Sequence, residues 1–234
     1  MIKKFILYTL LFSNFILIET EYSKYDLIGK GNIELQGENY KLQKEVSDAF
    51  LLLKAEALKS GFNIQVVSSY RSFEHQKRIW TRKYKKFTSQ GMTPQKAINK
   101  IIEYSTIPGT SRHHWGTDID IIDGNIKTSG DVLNPKHFKE GGLYHKFKIW
   151  LDENADRFGF CLVYTDIENR KGFKYEPWHY SYESISKEML KQYLKIDIQQ
   201  LLKEEKLLGS DYFNDVFIEK YIRENILDIN PDLK

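Results

Sequence analysis

Four short segments concentrate the side chains that chemistry uses: Tyr70-Arg71-Ser72, Ser111-Arg112-His113-His114-Trp115-Gly116, Asp118-Ile119-Asp120 and Glu176-Pro177-Trp178-His179-Tyr180. Two histidines and an aspartate from separate segments can supply three tetrahedral ligands to zinc. The fourth position is then left to water, as in zinc sites that carry out reactions. Zinc lowers the pKa of such a water towards ~7, and a neighbouring carboxylate can take its proton. A purely structural zinc site is closed by a fourth protein ligand, and none is evident in these segments.

The spacings leave the assignment open. Asp118 and Asp120, two apart, share a face of any strand they occupy, so alternation allows either as a ligand. Glu176 and His179 are three apart, which on an ideal strand points them to opposite faces. Pro177 lies between them and cannot donate to a sheet ladder. It is expected to distort the strand enough to bring both side chains to one metal.

Cys161 is the only cysteine, so no intrachain disulfide forms. Its setting, Phe160-Cys161-Leu162-Val163-Tyr164, reads as a buried strand. A reactive thiol needs an exposed, electropositive surrounding, so a structural role is expected. His75, His137 and His145 read as surface or helix-face residues.

These groups must be positioned by a chain of 234 residues, 41% hydrophobic and with a net charge of +3, enough for one globular domain of ordinary size plus an extension. No Lys/Arg stripe of the kind that binds phosphate backbones stands out, so nucleic acid is not an expected partner. Lys3 and Lys4 precede an apolar run over residues 5–18, short for a membrane span but suited to a secretory signal or N-terminal anchor over 1–20. An extracytoplasmic location follows as an expectation, periplasmic or cell-envelope, with possible membrane association through that segment.

Residues 21–41 are polar and read as a linker with at most short strands. Apolar spacing predicts a helix over 42–59 ending at Ser60-Gly61, and a strand over 64–67 follows. Helices are expected over 73–86 and from Thr93-Pro94, where Thr caps and Pro occupies the first turn. A turn-rich loop at 107–111 leads into a strand-like alternation over 115–122. A helix over 144–157, strands around Cys161 and over 173–180, and charged helices from Ser184 onward complete the chain. Strands scattered among helices without regular βαβ units predict an α+β domain with a mostly antiparallel sheet over 42–185, then a helical extension over 186–234 packed on it.

The string Ser111-x-His113-x-x-Gly116-x-x-x-Asp120, followed by Glu176-Pro177-Trp178-His179, resembles the VanY-type zinc D-alanyl-D-alanine carboxypeptidases. That family belongs to a wider group with VanX dipeptidases, lysostaphin-type peptidases and hedgehog domains. Tyr70-Arg71-Ser72 with Gln76, Asn154-Ala155-x-x-Phe158-Gly159-Phe160 and Gly172-Phe173 extend the resemblance over residues 42–182. The resemblance implies a hedgehog/DD-peptidase-like fold and hydrolysis of the terminal D-Ala of peptidoglycan stem peptides. It implies Zn2+ held by His113, Asp120 and His179, with Glu176 as general base. Arg71 would grip a carboxylate or developing oxyanion through paired hydrogen bonds. Gln76, Ser111 and Tyr164 resemble substrate-contacting positions, and Trp178 is expected in the site wall. His114 matches no family role.

Two departures stand out: Asp118 where the family usually has Ala, and Thr165 where it usually has Pro. Asp118 reads either as a partner orienting a ligand histidine or as a hydrogen-bonded structural residue. An L,D-carboxypeptidase acting on tetrapeptide stems would share the metal and base. A non-catalytic peptidoglycan-binding module would be expected to have lost them, and all four are present.

Overall fold

The computed structural model describes residues 20–234. The segment 1–20 expected as a signal or anchor lies outside them, apart from Thr20. Among the described residues no helix is long and apolar enough to cross a membrane.

In chain order the helices and strands are α1 Lys24–Leu27, α2 Lys44–Lys59, β1 Ile64–Ser68, α3 Phe73–Ser89, α4 Pro94–Ile101, β2 Asp118–Asp123, α5 His145–Asn154, β3 Phe160–Leu162, β4 His179–Tyr182, α6 Glu183–Tyr193, α7 Ile198–Glu204 and α8 Asp215–Tyr221. The four strands form one sheet, ordered β1-β2-β4-β3 and antiparallel throughout. The expected α+β class, with a small antiparallel sheet among helices, is therefore borne out.

Local chemistry accounts for the boundaries. Ser72 caps α3 by accepting from the His75 amide, and Thr93 caps α4 by accepting from Lys96, with Pro94 in the first turn. Alternation on β2 separates two environments. Ile119 and Ile121 face a core shared with Val46, Phe50 and Leu53 of α2 and with Phe147 and Leu151 of α5. Asp118 and Asp120 take the opposite face, where α3, α4 and the C-terminal helices supply a second apolar cluster around Trp80, Ile98, Trp115 and Tyr221.

Two expectations change. The segment expected as a linker contains α1 and buries Leu27 and Ile28 in the second cluster, because these two apolar residues gain more by burial than a solvated linker could offer. The strand expected over 173–180 is confined to His179–Tyr182. Residues 176–179 instead form a turn in which the His179 amide donates to the Glu176 carbonyl at 3.0 Å. Pro177, which lacks an N–H, suits that turn better than a ladder.

Candidate active site

Strand register assembles the site. Asp120 of β2 pairs with Ser68 on one side and His179 on the other, while Asp118 pairs with Ser181. Directly opposed residues of antiparallel strands project to the same face, so these side chains meet. A register irregularity between Val66 and Ser68 marks the end of β1, just before Ser69-Tyr70-Arg71. His113 arrives on a short helical turn, Arg112–Trp115, closed by Gly116 at φ 68°. A Cβ at Gly116 would lie 2.6 Å from Leu35 Cδ2, so both backbone angle and space call for glycine.

His113, Asp120 and His179 each offer a ligand atom, all within 4.8 Å of one another, and all three residues are buried. His113 donates from Nδ1 to the Ser69 carbonyl at 2.8 Å, which leaves Nε2 as the free lone pair, 3.4 Å from Asp120 Oδ2. His179 directs Nδ1 towards Glu176 Oε2 at 2.9 Å and Asp120 Oδ1 at 3.9 Å. His113 Nε2 and Asp120 Oδ1 are buried without a hydrogen-bond partner. Orphaned polar atoms are costly in a protein interior. Two imidazoles and one carboxylate converging with such atoms suit a divalent zinc-type cation, so the residues present fit one.

The protonation pattern follows from burial and neighbours. Burial and the Arg71 guanidinium hold His113 down at about 4, so it is neutral and able to ligate. Burial also opposes charge on His179, but hydrogen bonds to Asp118 and Glu176 outweigh it and raise that imidazole to about 10, so a cation bound at Nδ1 would displace a proton from it. Burial raises Glu176 above the usual carboxylate range, with the His179 contact offsetting part of the rise. For Asp120 burial is overcome by His113, His179 and Arg71, and the carboxyl is held low.

A cleft opens over this cluster, lined by Arg71, Ser111, His113, Tyr164, Glu176 and His179, with Tyr104 and Phe173 in its wall. Arg71 lies 3.6 Å from Asp120 and donates from its guanidinium to Gln76 Oε1 at 3.0 Å. Arg71 Nε and Ser111 Oγ are buried near the cleft and have no protein partner. Tyr164 stacks edge-on against His179 at 5.1 Å between ring centroids.

Two of the expected site residues lie outside the cleft lining. Gln76 is fully buried and does not line the cleft; its amide holds Arg71 and donates to the Thr106 carbonyl at 2.8 Å. Trp178 turns away from the cleft into a separate apolar cluster with Ile122, Phe138 and Tyr144, because it sits mid-turn between two residues that face the site.

His114 is fully buried rather than ligating. Its Nε2 accepts from the Gly109 amide at 3.2 Å and its Nδ1 donates to the Arg71 carbonyl at 2.6 Å, tying the loops that carry Gly109 and Arg71 together. Cys161 is half-buried, and burial lifts its thiol to about 11, unlike an activated nucleophile. Residues that sequence reasoning passed over include Ser181, opposite Asp118, and Arg112, which pairs with Asp118 at 3.2 Å. Ser181 had a sequence signal: it lies two residues beyond His179 and so shares its face.

Comparison with known proteins agrees with this geometry. A family model described as D-alanyl-D-alanine carboxypeptidase, VanY, matches residues 39–185. A D-alanyl-D-alanine carboxypeptidase of Enterococcus faecalis is 34% identical over 122 residues, 51% of this chain and 40% of that protein. The bifunctional D-Ala-D-Ala dipeptidase and carboxypeptidase VanXYC of Enterococcus gallinarum is 30% identical over 143 residues, 60% of this chain and 66% of that protein. These matches thus span less than two thirds of either relative.

Among solved structures, VanYB in complex with D-alanine-D-alanine superposes with a TM-score of 0.55 at 27% identity, covering 76% of this chain and 92% of the other. A VanY D,D-pentapeptidase variant in complex with Zn(II) gives 0.54 at 26% identity, covering 78% and 90%. With the family model spanning more than half its length and the sheet, cluster and cleft arranged as described, the chain belongs to the VanY family of D-alanyl-D-alanine carboxypeptidases.

Proposed function

We propose that the protein is a zinc-dependent D,D-carboxypeptidase that removes the terminal D-Ala from peptidoglycan stem peptides outside the cytoplasm. The observation that carries this reading is the buried His113, Asp120 and His179 cluster, with Glu176 2.9 Å from His179 and Arg71 in the same cleft. The solved relatives bound to D-alanine-D-alanine and to Zn(II) support the choice of substrate and metal. Lys3, Lys4 and the apolar run that follows support the location.

His113 Nε2, Asp120 and His179 Nδ1 would hold the zinc, which when bound supplies a Lewis acid that acidifies water and polarises the scissile carbonyl. Glu176 takes the proton of the attacking water. Its raised pKa keeps it basic enough to do so and acidic enough to return the proton to the departing amine of D-Ala. Arg71, braced by Gln76, holds the peptide's carboxylate or the oxyanion that develops, and its partnerless Nε is one such donor. Ser111 Oγ offers a further hydrogen bond from the cleft wall. Tyr164 and Phe173 pack together at 5.0 Å and exclude water from one side.

The test is mass spectrometry of defined pentapeptide and tetrapeptide muropeptides incubated with the protein, with and without a chelator. Loss of one D-Ala from the pentapeptide, abolished by chelation and restored by zinc, is expected. Cleavage of the tetrapeptide alone would reassign the specificity to L,D-bonds. Zinc binding without any hydrolysis would leave a peptidoglycan-binding module.

A further inference from the structure

We propose that Asp118 is a positioning residue for the metal centre: it holds His179 Nε2 and thereby commits Nδ1 to the cation. An imidazole can ligate through either nitrogen, and the hydrogen bond made by one decides which remains for the metal. His113 is set by a neutral backbone carbonyl, that of Ser69. His179 is set by an anion, since its Nε2 lies 2.9 Å from Asp118 Oδ2.

The carboxylate of Asp118 is fixed independently of the histidine. Its Oδ2 also accepts from Arg112 Nε at 3.2 Å, and its Oδ1 accepts from Ser181 Oγ at 2.6 Å and Thr117 Oγ1 at 2.8 Å. Arg112 is itself held, donating to Ser181 at 2.8 Å and lying over the Trp115 ring at 4.8 Å. Asp118 is completely buried. A buried ion pair is weak evidence for stability, because desolvation offsets most of the attraction. Its placement here serves orientation: with Nε2 anchored on the far side, the ring cannot flip, and Nδ1 faces Asp120 and Glu176. An anionic partner also makes the free nitrogen a stronger electron donor than a carbonyl would.

This inference rests on the zinc reading, and the experiment separates the two. Zinc affinity of the full chain, Asp118→Asn and Asp118→Ala is measured by competition with a chromogenic chelator, with folding followed by circular dichroism. Asp118→Ala is expected to bind zinc about 10–100-fold more weakly. Asp118→Asn, whose amide oxygen still accepts from Nε2–H, is expected to recover most of that loss. Wild-type protein that binds no zinc overturns both readings. Wild-type protein that binds zinc, with a folded Asp118→Ala of equal affinity, overturns this inference alone. Should Asp118→Ala fail to fold, because Arg112 is left buried without a counter-charge, Asp118→Asn carries the test. In zinc-loaded, histidine-labelled protein the His179 Nε2–H proton resonance is expected far downfield in wild type and shifted upfield in Asp118→Asn. An unmoved resonance, or zinc on Nε2, overturns the proposal.

Discussion

The two sides of the cleft are built differently. The side carrying the proposed metal ligands rests largely on neighbouring strands: Asp120 and His179 are register partners, Asp118 and Ser181 occupy the adjacent pair, and His113 joins from the turn Arg112–Trp115. The wall proposed to face the substrate includes a loop, residues 105–111, with no ladder to hold it. It is held from the C-terminal extension instead. Tyr221 Oη accepts from the Ile107 amide at 3.1 Å and bonds Thr110 Oγ1 at 2.8 Å, and Tyr193 Oη donates to the Gly109 carbonyl at 2.9 Å. Backbone pairing fixes a constellation of ligands to a fraction of an ångström. A loop wall braced by distant tyrosines can change without disturbing the metal.

The largest test of this division is Glu176→Ala. Turnover is expected to fall by ~10²–10⁴-fold while zinc is retained, since the three ligands are untouched; near wild-type release of D-Ala would remove Glu176 from its role. Next comes Arg71→Lys on the substrate side. An ammonium cannot reproduce the paired guanidinium contact, so KM should rise by about 10-fold or more with zinc affinity unchanged, and an unaltered KM would show that Arg71 does not grip the peptide.

Tyr221→Phe sharpens the comparison further. It leaves the buried Ile107 amide unpaired, at a cost of about 1–3 kcal/mol in unfolding stability. It should raise KM modestly without altering zinc content; if zinc were lost instead, the two sides would not be separable. The smallest effect is expected at Cys161. With its thiol lifted to about 11, alkylating reagents at neutral pH should leave activity intact, and inactivation matched to its labelling would contradict that.

Much of the local structure was legible because it depends on short-range chemistry. Ser72 and Thr93 caps, Pro94 in a first turn and the apolar spacing of α2 announce their helices in the chain itself. Alternation through Asp118-Ile119-Asp120-Ile121 announces β2. Failures came where a contact partner lies far away in sequence. Leu27 and Ile28 look like linker residues until the second apolar cluster is assembled around them. Trp178 looks like a wall of the site until the turn at 176–179 sends it to Phe138, with ring centroids 5.8 Å apart.

From the order and spacing of its motifs alone, the chain determined its family and a short list of groups able to bind a dication and move a proton. Side-chain chemistry is local, and a histidine or aspartate carries it wherever it stands. Alternation left the two aspartates equivalent and only the resemblance singled out Asp120; the tertiary structure shows how they differ, because they share a strand face and are distinguished by what register sets beside them. Asp120 meets His113 and the inner nitrogen of His179, while Asp118 meets Arg112, Ser181 and the outer one. Periodicity is blind to that difference, which arises from pairing between β2 and β4 across some sixty residues of chain.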